Sequence, residues 1–72
     1  MDIGRSDFEV YGQNNARLGW MDSEGIIRSN ETVIFRVVNG SIYSMHGGYL
    51  GRLLDGVGKT DRGQLIFRLH HA

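Results

Sequence analysis

A repeat of sixteen residues constrains this chain more than any other feature. Val10-Tyr11 recurs as Ile42-Tyr43, Leu18-Gly19 as Leu50-Gly51, and Val33-Ile34-Phe35-Arg36-Val37 as Leu65-Ile66-Phe67-Arg68-Leu69. All three matches keep the same offset of 32 residues, so the two halves of the chain are related. Each half divides again. Leu18, Ile34, Leu50 and Ile66 stand 16 residues apart and are all aliphatic, and Met21, Val37, Leu53 and Leu69 form a second apolar column at that spacing. Between the two run Gly19, Phe35, Gly51 and Phe67, small and large in alternation. The units are about 10–25, 26–41, 42–57 and 58–72, after a leader of residues 1–9. In the last unit Val57 suits the first position better than Gly58 does.

The turn residues fall between and within these units. Asn39-Gly40 separates two strand-like runs, and Asp55-Gly56 does the same one unit later; these dipeptides suit tight hairpins because both central residues can take positive φ. Ser23-Glu24-Gly25 occupies the corresponding place between the first two units. Asn14-Asn15, Asn30-Glu31, Gly47-Gly48 and Arg62-Gly63 mark the bends inside the units. No stretch carries a 3.6-residue apolar period, so no substantial helix is predicted. The reading is an all-β single domain: an up-and-down meander of about eight short strands, forming four pseudo-symmetric hairpin repeats around a central axis. Around such an axis the two Phe rings would fill space left by the two Gly positions.

With its repeat number, repeat length and the pattern Val10-Tyr11…Leu18-Gly19 and Ile42-Tyr43…Leu50-Gly51, the sequence resembles the 4-fold β-flower domain family. The resemblance runs from about Val10 to Leu69. The second and fourth units depart from the pattern, with Phe where Gly would stand. It implies a fold and brings no activity and no motif of functional residues with it.

A chain of 72 residues buries a small core, and domains of this size usually gain stability from disulfides, metals or partner subunits. Cysteine is absent, which excludes disulfides and thiolate metal sites. Self-association is therefore the expected source of extra stability, and a partner protein is compatible with the same surface. Seven Arg and one Lys balance eight acidic residues. A neutral chain has no global pull on nucleic acid or anionic lipid, so neither is an expected partner. There is no apolar run of membrane-spanning length and no signal-like segment in residues 1–6, and the expected location is the cytoplasm.

The most informative candidate site is the column Trp20, Arg36, Arg52 and Arg68, again 16 residues apart. On one face near an axis, three guanidinium groups and an indole could hold a carboxylate, a phosphate or a base, because Arg offers a planar bidentate fork. The simpler reading is four solvent-facing strand positions. Tyr11, Tyr43 and Tyr49 could stack on a ligand but more commonly pack in a small core. His46 lies in a turn, and the adjacent His70 and His71 face opposite ways on a strand, which makes a poor chelating pair. Asp22, Asp55 and Asp61 suit turns and share no column, so no metal is assigned. Gly47-Gly48-x-x-Gly51 lacks the following helix that a phosphate loop requires. With no Cys nucleophile, no Gly-x-Ser-x-Gly elbow and no His beside an orienting acid, the chain reads as a non-enzyme with no catalytic residue and no cofactor. The expected function is an interaction or structural module acting as a homo-oligomer. The alternative is a small-molecule or anion binder using the arginine column.

Overall fold

The computed structural model describes residues 8–71 and is an eight-stranded, antiparallel, up-and-down barrel, closed by pairing of the last strand with the first. The strands are β1 (Phe8–Tyr11), β2 (Arg17–Met21), β3 (Ile26–Ser29), β4 (Thr32–Val38), β5 (Ser41–Ser44), β6 (Tyr49–Leu54), β7 (Val57–Lys59) and β8 (Leu65–His71). The one helical element among the described residues is a 3-10 turn at Gln13–Asn15. β1 begins inside the stretch read as a leader; residues 1–7 of that leader lie outside the described residues. Closure leaves no strand edge exposed, so every described strand has two hydrogen-bonded neighbours.

One irregularity occurs in four strand pairs. The ladders β1–β2, β3–β4, β5–β6 and β7–β8 each slip by a residue, at Val10/Tyr11, Ile27/Arg28, Ile42/Tyr43 and Gly58/Lys59. The residue skipped on the longer strand is Leu18, Ile34, Leu50 or Ile66, the aliphatic column of the sequence. A bulge leaves its extra residue out of the ladder and bends the strand. Two consecutive positions can then face the same way. Leu18 accordingly packs against the core while Gly19 beside it is buried, and the same holds for Leu50 and Gly51.

The core consists of Val10, Met21, Ile27, Ile42 and Phe67, with the two apolar columns packed around it. Phe67 is fully buried and its ring lies 5.5 Å from that of Phe35. The two Phe side chains therefore fill the interior against each other. Gly19 and Gly51 serve a different need. A Cβ at Gly19 would stand 2.0 Å from the Arg28 carbonyl oxygen, and one at Gly51 would stand 2.1 Å from that of Lys59. Those carbonyls belong to the bulges of the neighbouring strands, so the glycines permit backbone to approach backbone. Gly58 takes the inward place opposite Phe67 in the last unit, and Val57 does not. The space it leaves is used by Ile42 and Phe67. In the second unit Ile27 rather than Ile26 points inward, because the 22–25 connection is longer than the two-residue turns that follow.

The turns hold the register. Asn39, Gly40, Asp55 and Gly56 all take positive φ, as do Asn30 and Glu31. The carbonyls of Gly25, Gly40 and Gly56 accept hydrogen bonds from the amides of Val37, Leu53 and Leu69 at 2.8, 2.8 and 2.9 Å. At the opposite end the Ser44 hydroxyl accepts the amides of His46 and Gly48, and the Thr60 hydroxyl accepts those of Arg62 and Gln64. Ser44 and Thr60 are thus turn residues sixteen positions apart, each satisfying two backbone donors.

Candidate functional site

The interior is filled by aliphatic and Phe side chains, and among the described residues no polar or charged residue is buried as a whole. Along β2, β4, β6 and β8 the inward positions are Gly19, Phe35, Gly51 and Phe67, so the next residue on each strand points outward. Those next residues are Trp20, Arg36, Arg52 and Arg68. They lie on alternate strands of a closed barrel, with β2 opposite β6 and β4 opposite β8. Their side chains diverge over four sides of the wall, and the structure does not bring the four together on one ligand.

Each has its own surroundings. The Arg17 guanidinium carbon sits 4.9 Å over the Trp20 ring, and Arg17 also approaches Glu9 at 3.9 Å. Arg68 is half-buried and donates to Asn15 Oδ1, while its Nε is buried without a partner. Arg36 is exposed and stands directly opposite Tyr43. Arg52 stands directly opposite Lys59, so two like charges face one another across β6 and β7.

The region around that last pair carries a surface groove. An open groove of about 500 Å³ runs over β6 and β7, lined by Arg52, Lys59, Asp55, Asp61, Leu54 and Val57 beside Thr60. Leu54 is 73% exposed, more than any other large apolar side chain among the described residues. Tyr49 is tied to the groove residue Asp61. Its ring lies edge-on to Tyr43 at 6.0 Å and its hydroxyl donates to Asp61 Oδ1 at 3.0 Å. Partial burial and then this hydrogen bond to a carboxylate hold the Tyr49 phenol above its ordinary value. The ion pairs among the described residues are Arg17–Glu9 and Arg28–Asp22, so neither Arg52 nor Lys59 is paired with a described carboxylate.

The other candidates have local roles. Tyr11 donates to Glu9 at 2.7 Å, which raises its phenol, and its ring meets that of His70 at 4.8 Å. His71 lies against Phe8 at 5.0 Å. Asp22 accepts the amides of Glu24 and Ile26 and the Arg28 guanidinium at 2.7 Å. Burial opposes its charge, but these donors outweigh that effect and lower its pKa. Among the described residues no three His, Asp or Glu side chains gather where they could hold a metal ion. No helix of the described residues is long and apolar enough to cross a membrane.

Sequence reasoning found Arg52 but missed Lys59, Leu54 and Asp61 as its neighbours. The column logic compared equivalent positions between units, whereas this groove joins different positions of adjacent strands. The signal available was the Asp55-Gly56 hairpin, which places Arg52 opposite Lys59 and Leu54 opposite Val57. No family model, no curated protein and no solved structure matches the chain.

Proposed function

We propose that the protein is a non-catalytic interaction module of the cytoplasm that acts as a homo-oligomer. The observation that carries this reading is the contrast between a five-residue buried core and the apolar side chains left on the outside. Leu54 and Val38 are 73% and 52% exposed, Met45 and Tyr49 are about half exposed, and Trp20 is at 36%. Covering such groups removes apolar surface from water at roughly 25 cal/mol per Å², a useful increment for a domain this small. Zero net charge removes the long-range repulsion that would keep copies apart. Closure of the barrel also excludes strand addition, so contacts between copies use outward side chains. The pseudo-four-fold arrangement of the units, and with it the β-flower likeness, is part of the same proposal; four bulges at corresponding places support it.

Thermal unfolding followed over a hundredfold range of protein concentration tests the module reading. An oligomer that binds only folded chains gives a midpoint that rises with concentration. A midpoint independent of concentration is the result that removes this function.

A further inference from the structure

The groove over β6 and β7 is self-complementary in charge, and we infer that its occupant is the same groove of a second copy, related by a two-fold axis. This rests on the homo-oligomer reading and names its surface. Two cations, Arg52 and Lys59, and two carboxylates, Asp55 and Asp61, surround the apolar pair Leu54 and Val57. A two-fold contact is isologous: whatever one patch presents must fit the same patch turned around. Along the hairpin the order is Asp55, then Leu54 and Val57, then Arg52 and Lys59, then Asp61, so turning one patch about the apolar pair sets the basic pair of each copy against Asp55 of the other.

The local electrostatics select this occupant over a free anion. Arg52 and Lys59 oppose each other across the ladder with no described carboxylate in ion-pair range. Like charges directly opposite destabilise a sheet pair, and an opposite charge from outside relieves that. A free phosphate would meet Asp55 and Asp61 in the same groove, which cancels much of the attraction. A nucleic-acid strand would encounter the same two carboxylates. A surface carrying both signs gains from Arg52, Lys59 and Asp55 together.

The test is a charge exchange between two variants. Arg52→Glu with Lys59→Glu makes the groove wholly acidic. Asp55→Gly with Asp61→Lys makes it basic, and Gly keeps the positive φ that Asp55 takes in its turn. Each variant alone is expected to dissociate, its dimer weakened by about 100-fold or more. Mixed in equal amounts they are expected to form a heterodimer, identified in native mass spectrometry by its intermediate mass and weakened by added salt. Circular dichroism checks that each variant is folded. Leu54→Lys, at an exposed position, gives the same loss of dimer should either charge variant fail to fold. If the unmutated protein is a dimer and the single-sign variants or Leu54→Lys still self-associate, the interface lies elsewhere while the oligomer reading stands. If the mixture stays monomeric, the charge complementarity is wrong. If the unmutated protein is monomeric near 1 mM, both inferences fall together.

Discussion

Replacing Gly51 by Ala adds one methyl group to a buried strand position, and the structure gives this small change a large cost. The new Cβ would stand 2.1 Å from the Lys59 carbonyl oxygen and 2.9 Å from the Thr60 Cα. Non-bonded heavy atoms rest at about 3.5 Å, so β6 and β7 would have to part locally by more than about 1 Å. The atoms in the way are backbone, which cannot turn aside as a flexible side chain would. Forcing extra volume into a packed site costs about 1–3 kcal/mol, and a backbone clash of this size belongs at the upper end. For 72 residues the whole stability is about 4–11 kcal/mol, so the loss is a large share of it. At about 4–8 °C per kcal/mol, the midpoint should fall by roughly 10–20 °C. Gly48→Ala is the control three residues away. Its Cβ meets only the Ser44 hydroxyl at 3.5 Å, an ordinary contact, and its backbone is outside the left-handed region. That variant should match or slightly exceed the parent, because Ala restricts the unfolded chain. Urea denaturation of both variants and the parent measures the difference. A Gly51→Ala protein within about 0.5 kcal/mol of the parent would refute the reasoning about backbone approach, and Gly19→Ala should behave like Gly51→Ala.

Glu31 takes φ of 75° in the turn between β3 and β4, where a side chain is strained; Glu31→Gly should raise stability by about 1 kcal/mol, read from the same urea curves. The lowered pKa of Asp22 makes it a source of stability above the usual carboxylate value, and that contribution is lost as pH falls through its lowered value. Asp22→Asn should therefore melt below the parent at pH 7, with the gap closing in acid; a gap that persists there would assign the effect to packing. Tyr49 should ionise above the usual phenol range in a spectrophotometric titration, and Asp61→Asn should bring it part of the way back, since burial remains. An unchanged titration in that variant would mean the Tyr49–Asp61 hydrogen bond does not form in solution.

The fold was legible because three independent signals agreed: the sixteen-residue columns, the Asn-Gly and Asp-Gly hairpins, and the missing helical period. Adjacent aliphatic and Gly or Phe columns do not fit simple alternation, since consecutive strand residues point opposite ways. Four bulges resolve the conflict by letting both columns face the core. A bulge depends on pairing with another strand, so its position is not written in one strand's pattern. The same limit explains Ile27 replacing Ile26, because the longer 22–25 connection moves the inward place on by one residue; Gly58, after a two-residue turn like the one before Ile42, keeps the sixteen-residue position although Val57 suits it better by residue type. For the candidate site, the column picked out four equivalent positions along the chain but left open which face they occupy and gave no information on closure. Once β8 pairs with β1, equal spacing in sequence becomes dispersal around a wall. Lys59 and Asp61 belong to no column with Arg52 and became neighbours only through the β6–β7 register.

Sedimentation equilibrium on the unmodified 8.1 kDa chain, from low micromolar to about 1 mM, tests the central claim directly. A module that completes its stability through its outer wall should sediment as a discrete dimer over the upper part of that range. A mass of one chain at every concentration would show that the exposed Leu54 and Val38 have no partner in a second copy, and would contradict the account.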